Sequence, residues 1–256
     1  PYFVMEHVRG RPIDEACRGL PLPARLALFL QLADAVSHAH RNLLVHRDLK
    51  PSNVLVDGEG KVKLLDFGIA KALDPLEGGD AGVTLADERP FTPHYASPEQ
   101  VRGEPVSTAT DIYSLGVLLY VLLTGRRPYG RGATTPREAA RSVLEETPSR
   151  PSSLAAEPAG DASWLATRKR LAGDLDTIVL KALNRDPLRR YPSAQAMRDD
   201  LERFLGHQPI KARPDSLGYR TRKWLRRNRA VAAISVLAAI GLLAAAILVI
   251  QQRNQA

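Results

Sequence analysis

His46-Arg47-Asp48-Leu49-Lys50-Pro51-Ser52-Asn53, followed a short way on by Asp66-Phe67-Gly68, is the stretch on which the reading of this 256-residue chain turns. Between the two lie Val54-Leu55-Val56 and Val62-Lys63-Leu64-Leu65, β-favouring runs separated by the turn residues Asp57-Gly58-Glu59-Gly60. They read as an antiparallel hairpin. Folding it about Gly58 to Lys61 predicts that Val56 pairs with Lys63 and Val54 with Leu65, so that Asn53 and Asp66 arrive opposite one another at the open end. A carboxylate and an amide oxygen facing a common point suit Mg²⁺, a hard cation that completes its shell with water and substrate phosphates. Asp48 lies in the loop entering the first strand, within reach of a hydroxyl brought to that metal. The arrangement suits phosphoryl transfer, where positioning and charge neutralisation supply most of the catalysis.

His-Arg-Asp, an asparagine at this offset, a hairpin and Asp-Phe-Gly, in that order, resemble the eukaryotic-type protein kinases. The resemblance covers the chain from Pro1 to about Leu205. It implies an α+β, protein-kinase-like fold: a mainly helical C-terminal lobe with a short catalytic-loop hairpin. By it, Asp48 is the base that accepts the substrate hydroxyl proton, Asn53 a Mg²⁺ ligand and Asp66 the principal one, with ATP as phosphate donor. Lys50 falls where serine/threonine kinases carry a lysine that reaches the transferred phosphate. Ala96-Ser97-Pro98-Glu99 stands in place of the family's Ala-Pro-Glu element, with Ser97 inserted, a variant familiar among bacterial members. Asp111 resembles the buried aspartate that holds the backbone of the catalytic loop, and Arg190 the arginine that pairs with Glu99. Pro1 to Val8 is similar to the last small-lobe strand entering the hinge, with Met5 as gatekeeper, Glu6 to Val8 lining the adenine pocket and Leu55 flooring it. His46 is expected beneath the loop, packed on Phe67 beside Gly68. Arg47 is expected to pair with a phosphate on the activation segment; Thr84 is then the regulatory site, and Thr92 a structural threonine binding the catalytic loop. The family also implies protein substrates and a homodimer for autophosphorylation.

Two other readings stand beside this one. A pseudokinase or membrane-tethered docking scaffold has no chemical need for Asp48, Asn53 and Asp66 together. A small-molecule kinase of related fold is disfavoured by Lys50 and the element from Ala96 to Glu99, which build a peptide-binding surface. Nothing resembling a Gly-x-Gly-x-x-Gly phosphate loop or a Val-Ala-Ile-Lys strand occurs in the chain. Those parts belong before the hinge, so the chain is expected to be a fragment of a longer kinase, inactive alone.

The formal charge of +8 is informative once located. Pro1 to Ile210 is neutral, with 27 Lys plus Arg against 27 Asp plus Glu, and the whole excess falls in Lys211 to Ala256. A nucleic-acid footprint would spread basic residues over the folded domain, so no nucleic-acid partner is expected. The excess adjoins Ala230 to Ile250, 21 residues without a charge, about 31 Å as a helix, which matches a bilayer core. Arg220, Arg222, Lys223, Arg226, Arg227 and Arg229 precede it and Arg253 alone follows. This predicts a single-pass anchor in the cell inner (plasma) membrane with the kinase lobe cytoplasmic, for lysine and arginine stay on that side. The basic cluster should also attract anionic headgroups, each charge contributing about 1 kcal/mol. The expected organisation is a kinase domain over 1–205, a basic juxtamembrane linker over 206–229, the span over 230–250 and the start of an extracytoplasmic segment over 251–256. The one cysteine, Cys17, excludes an intrachain disulfide and reads as a small buried hydrophobe.

Helical periodicity accounts for much of the rest. Leu26, Phe29, Leu30, Ala33 and Val36 recur at helical spacing, as do Ile112, Leu115, Leu119 and Leu122 in a helix that Ser107 caps and Gly125 ends. Leu175, Ile178 and Ala182 mark another helix, and Met197, Leu201 and Phe204 the last, with Ser193 as N-cap. Pro148 to Gly160 reads as a surface insertion or mobile loop, and Gly206 to Gly218 as a linker.

Overall fold

The structure, a computed structural model, describes residues 6–67, 93–130, 132–154, 162–214 and 216–228, together with 234, 237, 238, 240, 241, 244 and 252. Met5, Gly68, Thr84 and Thr92, and most of Ala230 to Ile250, lie outside the described residues. By internal packing the chain divides into two units, Pro1–Leu201 and Glu202–Ala256.

The first unit is built around a helix buried on every side. Helix α4 (Thr108–Thr124) follows α1 (Ile13–Ala16), α2 (Leu22–Arg41) and α3 (Pro98–Arg102) in the chain. A capping box starts it: the Ser107 hydroxyl accepts from the Ala109 amide while the Thr110 hydroxyl accepts from the Ser107 amide. Gly125 ends it at φ 69°, a left-handed conformation that favours glycine. Ile112, Tyr113, Leu115, Leu118, Leu119 and Leu123 are fully buried. Burial all round explains why its apolar residues fill more positions than one amphipathic stripe needs. Against it pack α2, which buries Leu26, Phe29, Leu32, Ala33 and Val36, and α7 (Asp174–Ala182), which buries Leu175, Ile178 and Val179. The contact with α7 is close: a Cβ on Gly116 would stand 2.8 Å from the Ala182 Cβ. Around this centre lie α5 (Pro136–Glu145), α6 (Ala162–Leu171) and the start of α8 (Ala194–Leu205), whose Met197 and Leu201 are fully buried. Ser193 caps α8, its hydroxyl accepting from the Ala196 amide at 3.1 Å.

A three-stranded antiparallel sheet, β1 (Arg11–Pro12), β2 (Val54–Val56) and β3 (Val62–Leu64) in that order, borders the helices. Its register corrects the sequence reading by one residue: Val56 pairs with Val62, Leu55 with Lys63 and Val54 with Leu64. The turn sets this. The Asp57 amide bonds the Lys61 carbonyl at 3.0 Å, the Gly60 amide bonds Asp57 O at 3.1 Å, and Gly60 sits at φ 78°. These features close a three-residue loop with a left-handed third residue, one residue tighter than a fold about Gly58 to Lys61. The Asp57 carboxylate reinforces it by accepting from the Glu59 and Lys61 amides at 3.0 and 2.8 Å.

The segment from Pro148 is likewise less loose than its composition suggests. Pro151–Ser153 forms one tight helical turn, Pro151 and Leu154 are buried, and Asp176 of α7 accepts from both the amide and the hydroxyl of Ser152. Residues 155–161 of that stretch lie outside the described residues. Cys17 is buried, and burial pushes its thiol up to about 11, so it remains protonated at neutral pH.

The second unit holds α9 (Leu217–Arg227), started by Ser216, whose hydroxyl accepts from the Tyr219 amide at 3.4 Å. Among the described residues no helix is long and apolar enough to cross a membrane.

Candidate active site

The loop from His46 to Asn53 joins α2 to β2 and contains no strand or helix before the single turn Pro51–Asn53. Its backbone amides therefore need partners from elsewhere. Asp111, fully buried in the first turn of α4, supplies them. Its Oδ2 accepts from the His46 amide at 2.8 Å and its Oδ1 from the Arg47 amide at 2.9 Å. His40 Nε2 lies 2.8 Å from the same Oδ2, tying in the last turn of α2.

Arg47 is held at φ 67°, a left-handed conformation that costs a non-glycine residue about 1 kcal/mol. Both polar ends of its backbone are fixed. Asp111 takes the amide, and Gln100 Nε2 donates to the Arg47 carbonyl at 2.7 Å. Gln100 is held in turn by the capping box of α3, accepting from the Ser97 amide at 3.0 Å while its own amide bonds the Ser97 hydroxyl at 3.3 Å. Gln100 was missed in the sequence, where it is one polar residue on a short helix. The signal that finds it is its place three residues after Ser97, the spacing of a capping box.

His46 lies beneath the loop, with its ring centroid 5.0 Å from that of Phe67. Its Nδ1 accepts from the Asp48 amide at 3.3 Å and its Nε2 donates to the Leu65 carbonyl at 2.8 Å. Only the neutral ring with its proton on Nε2 satisfies both bonds. Burial favours the same form, lowering the His46 pKa below its usual value, against the opposing pull of the Leu65 bond and of Asp111, Asp48 and Asp66.

Above this floor stand the partly exposed Asp48 and Lys50, beside the buried Asn53. Asp48 Oδ2 is 2.8 Å from Lys50 Nζ and accepts from Asn53 Nδ2 at 3.1 Å, which fixes the rotation of the carboxylate. Asn53 Nδ2 also donates to the Asp48 carbonyl at 2.8 Å. With its nitrogen committed twice, the Asn53 amide turns its oxygen to the other side, where Ser52 Oγ lies 3.5 Å away. The Leu65 amide bonds Asn53 O at 2.8 Å, so Asn53 faces Leu65 across the hairpin and Asp66 is the next residue along. Asp66 is exposed and adopts φ 50°, the kink at which the chain leaves β3. The corrected register thus still brings Asn53 and Asp66 to one end of the hairpin. A hard oxygen donor set of amide and carboxylate fits Mg²⁺, with room for water and phosphate in the rest of its shell.

A second buried anchor lies under α3. Arg190 and Glu99 make a two-pronged pair, Nη1 to Oε1 at 2.6 Å and Nη2 to Oε2 at 2.8 Å. Arg190 also donates to the carbonyls of Ala109, Asn184 and Arg185, and Thr110 Oγ1 donates to Glu99 Oε1 at 3.0 Å. Burial alone would raise the Glu99 pKa; the Arg190 hydrogen bonds and charge, with Thr110, overcome it and hold the carboxyl below its usual value.

The adenine-side residues are placed in part. Glu6 is exposed and Val8 half-buried. Two residues on, Gly10 lies so close to β2 that a Cβ there would stand 2.8 Å from the Val56 carbonyl oxygen and 3.1 Å from the Leu55 Cβ. The chain leaving Val8 therefore runs against half-buried Leu55.

Residues 1–201 match the protein kinase domain family. A probable serine/threonine-protein kinase of Streptomyces coelicolor is 39% identical over 217 residues, 83% of this chain and 29% of that protein. PknB of Mycobacterium tuberculosis, a serine/threonine-protein kinase, is 35% identical over 83% of this chain and 32% of its own length. PrkC of Bacillus subtilis, also a serine/threonine-protein kinase, is 37% identical over 78% of this chain and 28% of its own. The chain spans about a third of the length of these relatives.

Proposed function

Because this chain belongs to the protein kinase domain family, we propose that the protein carrying it transfers the γ-phosphate of ATP to serine and threonine hydroxyls of proteins. The observation that carries the reading is the fixed set of Asp48, Lys50 and Asn53 on a loop whose amides Asp111 holds from below. Asp48 orients the attacking hydroxyl and takes its proton. Lys50, paired to Asp48 at 2.8 Å, places a positive charge where the transferred phosphate gains negative charge. The Asn53 amide oxygen and the Asp66 carboxylate would hold Mg²⁺. Bound there, Mg²⁺ would supply charge neutralisation to the phosphate oxygens. The phosphate loop and the lysine-bearing strand of the family are not among these 256 residues.

By the same reading the protein is held in the cell membrane, with Ala230 to Ile250 as a single span and the kinase unit on the cytoplasmic side. It is supported by 21 uncharged residues and the six cations that precede them against one that follows. Membrane-anchored signalling follows from the two parts together.

Phosphate transfer from labelled ATP by the protein carrying this chain tests the reading. Asp48→Asn and Asp66→Asn are each expected to lower it by about 10²–10⁴-fold, with the label in the active protein on serine and threonine. Undiminished transfer in the Asp66→Asn protein sinks the assignment. Absence of transfer in the unaltered protein favours the docking scaffold instead.

A further inference from the structure

Helix α9 turns two opposed faces outward and inward within its own unit. Tyr219 and Lys223 lie on one face. The Tyr219 hydroxyl accepts from the Ile210 amide at 3.1 Å, the Arg213 guanidinium sits 4.8 Å from the Tyr219 ring centre, and Lys223 Nζ is 5.7 Å from the rings of both Tyr219 and Phe204. That face is docked on the preceding turn, where Ile210 is buried. The opposite face, Leu217, Thr221, Trp224 and Leu225 at positions i, i+4, i+7 and i+8, is one apolar ridge. It stands in the open: Leu217 is 83% exposed, Trp224 46% and Leu225 45%.

Five of the eleven residues of α9 are lysine or arginine, and no acidic residue occurs from Ser216 to Ala256. A groove along the helix joins the two characters, lined by Pro209, Leu217 and Trp224 together with Arg220, Lys223 and Arg227. Beyond the helix, Ile234, Leu237 and Ile240 of the uncharged segment are exposed as well, so the apolar character continues into it.

We propose that α9 is an interfacial helix that seats its Leu217–Trp224–Leu225 ridge in the surface of an anionic phospholipid leaflet. The occupant follows from charge complementarity and continuity. A leaflet offers acyl chain to the ridge and phosphate to a helix on which five of eleven residues are basic and none is acidic. Tryptophan at the edge of the ridge suits the boundary, with its apolar body buried and its indole N–H near water. The inference deepens the membrane reading given above and rests on it for which surface is near.

Trp164 and Trp224 are the two tryptophans of the chain. The full chain in a Trp164→Phe background, reconstituted into vesicles with brominated acyl chains, therefore reports on Trp224 alone. In vesicles containing about a third phosphatidylglycerol, quenching is expected to be at least twofold greater than in phosphatidylcholine. Added salt and the double change Arg220→Gln and Arg227→Gln should each remove that excess. Equal quenching in both lipids overturns the proposal, as does a Trp224 that bromine leaves unquenched, whether aqueous acrylamide reaches it or a protein surface shields it. Alkaline carbonate reports separately on the span. Release of the protein by carbonate, with composition-dependent quenching intact beforehand, removes the span and leaves the interfacial helix standing.

Discussion

The rim of the site and its floor use the same kinds of side chain in opposite surroundings. On the rim, Asp48 and Lys50 are about a quarter exposed, and Asp66 faces solvent. On the floor, Asp111, His46, Glu99 and Arg190 are buried, and each has its polar atoms matched by named partners. A carboxylate near water keeps its charge without help and remains available to a substrate. One inside the protein keeps its charge only when paired, and its pairing becomes structure. Rim substitutions should therefore silence the chemistry and leave the fold, while floor substitutions should loosen the fold.

The widest separation is expected on the rim. The Asp48→Asn and Asp66→Asn proteins that lose phosphate transfer should keep unfolding free energies within about 1 kcal/mol of the parent in urea titrations, since exposed charge pairs contribute little. A larger loss would move Asp66 from the rim to the floor. Next comes Arg190→Leu, which leaves the Glu99 carboxylate buried and unpaired and should cost about 3–5 kcal/mol of stability. Joint replacement with Glu99→Leu should recover part of that loss, and a single variant of near-parental stability would show that the pair is not buried in solution.

The smallest effect is in pH. The folded state holds His46 neutral with its pKa lowered by burial, whereas the unfolded chain titrates near 6.5. Above about 6.5 neither state takes up the proton, so stability is flat there. As pH falls below that value only the unfolded state binds it, and stability declines by at most about 1.4 kcal/mol per unit until the lowered folded pKa is reached. Thermal midpoints of the parent and His46→Gln compared between pH 7 and 5 should show the steeper decline in the parent. Parallel curves would mean that His46 is protonated in the folded state as readily as outside it.

Much of this was legible in the chain because the motif residues carry unusual chemistry at fixed spacings. The helix capped by Ser107 and ended by Gly125 and the Ser193 cap are placed as the pattern implied, and Arg190 pairs with Glu99 as the family resemblance implied. The hairpin register was not legible, because the alternation of Val54-Leu55-Val56 is compatible with either pairing and the decision rests on the Asp57 carboxylate and the left-handed Gly60. Gln100 escaped for a related reason. Its partner is a backbone carbonyl 53 positions earlier, and any residue presents a carbonyl. Pro151 and Leu154 show the converse failure: a composition rich in proline and serine conceals two buried anchors.

The capture of the His46 and Arg47 amides by Asp111 gives a stretch without helix or strand a property usually reserved for those elements. Exchange of these two amide protons with solvent requires the Asp111 carboxylate to let go, and that carboxylate sits in the first turn of the most buried helix in the first unit. Their protection is thus tied to opening of the core. On the clock of hydrogen exchange, the backbone just ahead of Asp48 should behave as interior, its two captured amides opening as slowly as the helix that holds them.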